Sequence, residues 1–318
     1  MRNKKNGFLF LLSLLCSLGL LCISACGTPK PEETPVPTVI PAEPAPTPTP
    51  FDAIPVVPYQ MEVRSFTYGD RSIYAEAFIP YNGMETHPAV ILCHGMGNNH
   101  ASVNHFAMTF AERGYLTFTF DFCGGCDGCE SSGTLLDMTI LTEAEDLDAV
   151  IDQVRAMPEV NPEYLFLLGQ SQGGVVAGLE ASKRKEETAG LILMYPAYNV
   201  QDLTKQMFPD PETIPETGVI YDQTVSRRYF EDALSLDFPS EMKSYDKDVL
   251  ILHGSEDSTV PLSYSKTAAE VFPHAELVVV NGAGHGFDLP DAPLVDGACM
   301  QYLLAHTPGE LVFAKTAE

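Results

Sequence analysis

The chain has 318 residues, 45% of them apolar, which is enough to bury a sizeable core as one large domain or two small ones. Its 43 acidic against 18 basic side chains give a formal net charge of −25. That balance works against nucleic acid as a partner and against adhesion of a folded domain to anionic lipid, and otherwise reports only a soluble surface.

Arg2, Lys4 and Lys5 precede an almost unbroken apolar run over 8–25, the pattern of a secretory signal. An uncleaved transmembrane anchor competes with it, because the run approaches the ~20 residues that span a bilayer. The stretch Ile23-Ser24-Ala25-Cys26-Gly27 resembles a bacterial lipoprotein box. The resemblance implies a signal peptide over 1–25, cleavage before Cys26, and a lipid on Cys26 that holds the protein on the outer side of the cell membrane. A Pro/Thr-rich tether over 26–58 follows; nine of the 23 residues in 28–50 are proline. Proline fixes φ and removes backbone donors, so this stretch reads as extended polyproline II, reaching roughly 70 Å at ~3.1 Å per residue.

From 59 to 318 the pattern is globular. Extended runs at 61–68 and 72–79 flank Gly69-Asp70, a hairpin signal. The continuous apolar run 88–93 suits a strand buried on both faces. A helix carrying Phe106, Ala107 and Phe110 on one side is expected next, with Gly114 as its C-cap. A strand over 115–122 and a helix over 135–157, ended by Pro158, continue the alternation. Further apolar strands are expected at 164–168, 191–195, 249–252 and 277–280, with helices from Gly173, before each of the last two strands, and after Pro293. Repeated strand–helix alternation implies an α/β fold with a mainly parallel, doubly wound sheet. Residues 196–247 interrupt it with a long insert holding a possible helix near 226–234, and an insert of that length reads as a cap over a site.

Gly169-Gln170-Ser171-Gln172-Gly173 follows one of these strands directly and precedes a helix of small residues. This is G-x-S-x-G in the setting it requires, a sharp strand-to-helix turn that lifts the serine hydroxyl above the sheet. A serine is a weak nucleophile and needs a base oriented by an acid, in the chain order Ser, Asp or Glu, His. Asp257, with Glu256 as runner-up, follows a buried strand in His253-Gly254-Ser255-Glu256-Asp257, and His285 sits in a glycine-rich loop after the next one. His100, His105, His274 and His306 read as surface residues. His94-Gly95-Met96-Gly97 ends another strand, and backbone N–H groups of Met96 and Gln172 are the expected oxyanion hole. His94 itself reads as a structural residue of that loop.

Together these motifs, with Gly284-His285-Gly286-Phe287, resemble the cinnamoyl and feruloyl esterase branch of the α/β-hydrolases over roughly residues 60–305. The resemblance implies an α/β-hydrolase fold with an inserted cap. It also implies hydrolysis of small carboxylic esters by a catalytic triad of Ser171, Asp257 and His285, without metal or organic cofactor. A peptidase or thioesterase on the same fold, or a lipoprotein that only binds a ligand, are the alternatives. Cys123-Gly124-Gly125-Cys126-Asp127-Gly128-Cys129 departs from the family pattern. Free thiols in a tight loop are the first reading, a disulfide the second and a metal the third. Cys93 and Cys299 read as small buried hydrophobes.

Overall fold

The computed structural model of this protein describes residues 54–288 and 290–312. The expected signal peptide, Cys26 and the tether up to residue 53 lie outside the described residues. Ile54 is already buried, and the Val57 N–H donates to the Glu112 carbonyl at 2.8 Å, so the end of the expected tether is part of the domain.

β1 (Tyr59–Tyr68) and β2 (Arg71–Pro80) form the expected hairpin, with Gly69 at a φ of 60° in the turn. β3 (His87–Cys93) is buried at every position. α1 (Asn104–Ala111) buries Phe106, Ala107, Phe110 and Ala111. Its C-cap is Glu112 rather than Gly114. Gly114 instead takes a φ of 92° in the following turn, where a Cβ would meet the Val312 carbonyl oxygen at 2.4 Å.

β4 (Leu116–Phe120) is followed by α2 (Ile140–Arg155), which begins later than its apolar periodicity suggests. Thr139 and Thr142 form a reciprocal capping box there, and the preceding residues remain in turns. β5 (Val160–Gln170) leads through Ser171 into α3 (Gln172–Lys183), and β6 (Gly190–Met194) follows.

The insert contributes α4 (Val200–Met207), a hairpin of β7 (Thr217–Ile220) and β8 (Gln223–Ser226), α5 (Arg227–Ser235) and α6 (Phe238–Ser244). Then β9 (Val249–Gly254), α7 (Leu262–Val271), β10 (Ala275–Val280) and α8 (Ala292–Ala305) complete the order.

Eight strands form one sheet in the order β1-β2-β4-β3-β5-β6-β9-β10. The β1/β2 and β2/β4 pairs are antiparallel and the rest are parallel, so the sheet is mainly parallel, as expected. Side chains alternate across it. Ala89, Ile91 and Cys93 of β3 join a core with α2 and α3, while Val90 and Leu92 join a second core with α1 and α8. Because the central strands run parallel, their C-terminal ends lie along one edge. Ser171, Asp257 and His285 follow β5, β9 and β10 on that edge.

Candidate active site

Ser171 occupies the junction of β5 and α3 with φ 50° and ψ −117°, a backbone conformation that costs a residue with a side chain ~1–3 kcal/mol. The surrounding glycines make the turn possible. A Cβ on Gly169 would lie 2.2 Å from the Gly173 carbonyl oxygen, and one on Gly173 would lie 2.3 Å from that of His94. Side chains at either position would therefore force neighbouring backbone apart. The Ser171 N–H donates to the Met194 carbonyl at 2.9 Å, and the Ser171 carbonyl accepts from Gly174 and Ala197, which anchors the strained residue on both sides.

His285 Nε2 lies 3.0 Å from Ser171 Oγ, and His285 Nδ1 lies 2.7 Å from Asp257 Oδ2. With Nδ1–H donating to the carboxylate, Nε2 is the acceptor for the serine proton. Glu256 is exposed and takes no part; its N–H donates to the Ala283 carbonyl.

Asp257 is held from several directions. Its Oδ1 accepts from the N–H groups of Thr259 and Val260 at 2.9 and 2.8 Å. Its Oδ2 also lies 3.3 Å from Nε2 of His253, a fully buried imidazole. His253 Nε2–H donates to the Val260 carbonyl at 2.8 Å while its Nδ1 accepts from the Ser265 hydroxyl at 2.7 Å. Burial works to raise the Asp257 carboxyl, but hydrogen bonds from His253, His285 and Val260 outweigh it and hold it well below the usual carboxylate range. The acid stays ionised beside the imidazole.

The loop after β3 comes close to the nucleophile. A Cβ on Gly95 would stand 3.2 Å from that of Ser171. Met96 and Gln172 directly follow Gly95 and Ser171 in the chain, and neither N–H is taken by a backbone carbonyl among the described residues. His94 is fully buried and acts as a peg for the loop. Its Nδ1–H donates to the Gly95 carbonyl at 2.8 Å and its Nε2 accepts from the Phe122 N–H at 3.0 Å. Burial pushes this imidazole down to about 4, so it is neutral near pH 7.

The cysteine loop braces the same segment. Cys126 and Cys129 form a disulfide, which replaces the first reading of free thiols. Gly124 and Gly128, both at positive φ, fold the loop so that the two Cα atoms are 5.5 Å apart, within the span a bridge needs. Joined to each other, these sulfurs offer no thiolate pair to a metal. The Gly97 N–H donates to the Gly125 carbonyl at 2.9 Å, and Cys129 Sγ lies 3.8 Å from the Asn98 carbonyl oxygen. Cys123 remains a buried thiol, pushed up to about 12 by burial. Cys93 and Cys299 are buried thiols.

Of the other histidines, His274 is exposed and His105 and His306 pair with Asp296 and Asp248 at the surface. His100 differs from expectation. It is partly buried, and its Nδ1 lies 2.7 Å from Asp121 Oδ1, tying the end of the loop after β3 to the end of β4.

Two neighbouring cavities share Gln170, Tyr195 and Gly286, and one of them holds Ser171. One, of about 360 Å³, is lined by Met96, Asn98, Ser171, Tyr221, Asp222 and His285 among others. The other, of about 440 Å³, is lined by Phe106, Tyr195 and Phe287 together with His105 and Asp288. Tyr195 belongs to both, and its ring packs edge-on against His285 with centroids 4.8 Å apart. Tyr221 and Asp222 are the two turn residues of the β7–β8 hairpin, both at positive φ, so the insert does reach the site. Sequence reasoning missed Tyr195, Tyr221 and Asp222 as wall residues. Only the position of Tyr195 at a strand end facing the elbow signalled any of them.

The arrangement is that of a hydrolase, and comparisons agree. The family model described as serine aminopeptidase, S33, matches residues 84–241, and that of a TAP-like protein matches 235–310. The uncharacterized protein YfhR of Salmonella typhi is 30% identical over 217 residues, covering 64% of this chain and 67% of that protein. Among solved structures, Est1E from Butyrivibrio proteoclasticus with bound ferulic acid superposes with a TM-score of 0.71 at 24% identity, over 76% of this chain and 98% of that one. The esterase EaEST of Exiguobacterium antarcticum gives 0.57 at 18%, over 74% and 99%. The chain belongs to the α/β-hydrolases. Within them it is a relative of YfhR with the fold of Est1E.

Proposed function

We propose that the protein is a serine hydrolase of small carboxylic esters, of short-chain or cinnamoyl/feruloyl type, held outside the cell by a lipid on Cys26. The observation that carries the catalytic part is the unbroken chain from Ser171 Oγ through His285 to Asp257, at 3.0 and 2.7 Å.

In this reading Ser171 Oγ attacks the ester carbonyl while His285 Nε2 takes its proton. The carbonyl oxygen, now negative, is held by the N–H groups of Met96 and Gln172, a contact worth ~3 kcal/mol per donor. His285 returns the proton to the leaving alcohol, and Asp257 stabilises the imidazolium in between. Water then repeats the sequence on the acyl-enzyme. No step calls for a cofactor. The aromatic walls of the larger cavity, Phe106, Tyr195 and Phe287, suit a flat or short apolar acyl group, and the bound ferulic acid of Est1E supports the aromatic option. The match to the serine aminopeptidase model favours a peptidase as the second reading. A thioesterase shares the same machinery, whereas a purely ligand-binding lipoprotein would have no use for the strained Ser171.

The lipid anchor rests on the Ile23–Gly27 box and the proline-rich stretch after it. No helix among the described residues is long and apolar enough to cross a membrane. The partners in this reading are a small-molecule ester and, through the lipid on Cys26, the membrane, while the net charge of −25 works against nucleic acid.

The test is turnover of p-nitrophenyl acetate, p-nitrophenyl butyrate, methyl ferulate and an aminoacyl p-nitroanilide by the full chain and by Ser171→Ala. Ester turnover that vanishes in the variant supports the reading. Amide turnover matching ester turnover moves it to the peptidase, and equal activity in both proteins sinks it. Loss of fatty-acid labelling in Cys26→Ala checks the anchor.

A further inference from the structure

Gln172 supplies an expected oxyanion donor through its backbone, while its side chain is gripped from both directions. Its Oε1 accepts from the Tyr229 hydroxyl at 2.6 Å, and its Nε2 donates to Glu143 Oε2 at 2.9 Å, with Met138 Sδ 3.5 Å away. Tyr229, Gln172 and Glu143 are each no more than 1% exposed. They come from three elements, α5 of the insert, the first turn of α3, and α2. We propose that Tyr229 is a positioning residue for the oxyanion hole, through which the insert sets the orientation of the Gln172 N–H. The inference rests on reading Ser171 as the nucleophile.

The geometry favours this over a role in packing alone. Gln172 is the first residue of α3, where the helix supplies no internal acceptor for its N–H and only its neighbours fix the peptide plane. Ser171, just before it, is strained, and relaxation of that strain would turn the Gln172 N–H away. Two hydrogen bonds to one side chain, from opposite sides, oppose that rotation. Buried polar side chains are costly, the more so here because Glu143 Oε1 is left without a partner among the described residues, and apolar residues would fill the same space more cheaply. Burial pushes Glu143 up to about 8, so near pH 7 the network is an uncharged chain that needs no counter-ion. Tyr229 does not line the cavity that holds Ser171, and its hydroxyl donates its hydrogen bond to Gln172.

The test is Tyr229→Phe in the full chain, with active sites counted by fluorophosphonate titration so that misfolded molecules are excluded. Phe keeps the ring that packs edge-on against Phe230, so the variant loses the hydroxyl and not the packing. The expected result is a kcat about tenfold lower, a fraction of what deleting a whole oxyanion donor costs, with KM within about twofold. Affinity for a boronic acid that forms a tetrahedral adduct on Ser171 should fall by the same factor as kcat/KM. Gln172→Met removes both bonds and should lower kcat at least as much. The double variant should then be no worse than Gln172→Met alone, since both changes break one link. A kcat for Tyr229→Phe within about twofold of wild type, whatever its Tm does, would leave a structural role only and overturn the inference; so would additive losses in the double variant. Failure of the underlying reading looks different: Ser171→Ala would be as active as wild type.

Discussion

Glu143 is a carboxylic acid buried beneath the proposed oxyanion hole, and its ionisation should be visible in the stability of the whole protein. Burial is the main cause of its raised pKa, opposed by the hydrogen bond from Gln172 and reinforced by the nearby Asp146. The group moves from an ordinary 4.5 to about 8. A folded-state pKa above the unfolded one means that the native protein keeps a proton the unfolded chain has lost. The associated stability is complete below about 4.5 and drains away as the pH climbs to about 8, at about 1.4 kcal/mol per unit. Over that window the loss sums to roughly 5 kcal/mol, a large part of the stability of an ordinary domain.

Glu143→Gln removes the titration while leaving an amide oxygen to accept from Gln172. Asp146 and Glu180, raised mainly by burial to about 6 and about 7, contribute a slope of the same sign in both proteins. The difference between variant and wild type therefore reports position 143 together with its coupling to Asp146. The chain has no tryptophan, so far-UV circular dichroism during urea unfolding is the natural probe. Measured at pH about 5, 7 and 9, the variant should gain on wild type by about 1.4 kcal/mol per unit and then level off near 8. Two parallel stability–pH curves would refute the reasoning and place an ionised, otherwise solvated carboxylate at 143.

His94 gives the opposite limb: its folded pKa of about 4 lies below the ordinary value of 6.5, so stability falls as the pH drops between them, by up to roughly 3 kcal/mol. Thermal melts of wild type should show this acid loss, and a variant such as His94→Asn should lack it. Asp257→Asn should lower kcat by about a thousandfold or more at unchanged fold, because the amide can donate to His285 and reverse its tautomer; steady-state kinetics beside a circular dichroism spectrum would show it. Gly173→Ala should fail to yield soluble protein or lose several kcal/mol, about the range reserved for severe backbone clashes, since its Cβ would sit 2.3 Å from the His94 carbonyl oxygen. Replacing Cys126 and Cys129 by serine should cost about 2 kcal/mol or less, the modest gain expected of so short a loop, and lower kcat more than it raises KM.

Much of the fold was legible because its strands are buried on both faces and read as continuous apolar runs, as at 88–93 and 249–252. In the insert only the helix near 226–234 was legible, found as α5, and the rest read as a break in the rhythm. Its β7–β8 hairpin has four-residue strands and a Tyr221-Asp222 turn, both at positive φ without glycine, so no local signal marks it. Ser171, Asp257 and His285 were legible because each needs a special setting, the elbow or a loop after a strand, that leaves a mark in neighbouring residues. Glu143, Gln172 and Tyr229 leave no such mark. They meet only because α2, α3 and α5 pack together, and nothing in a single sequence reports that contact. The cysteine pairing lay between these cases: the spacing admitted it, and the glycine geometry of the loop decided it.

The parts that depart from a bare G-x-S-x-G sheet reach both of the expected oxyanion donors. The disulfide loop supports the segment carrying Met96, through Gly125 and Cys129, and the insert grips Gln172 through Tyr229. The triad acid is held mainly by His253 and the backbone around Asp257, with one strut from the insert where Asn199 Nδ2 donates to the Thr259 carbonyl. This division has a physical rationale. His285 and Asp257 attract each other and settle into line on their own, whereas backbone amides have no charge partner in the resting site and keep their direction only if the chain around them is fixed. Loosening either support should therefore leave the serine as reactive toward small phosphonylating agents that lean least on the oxyanion hole. Turnover of esters, which depends on the developing negative charge at every step, should fall.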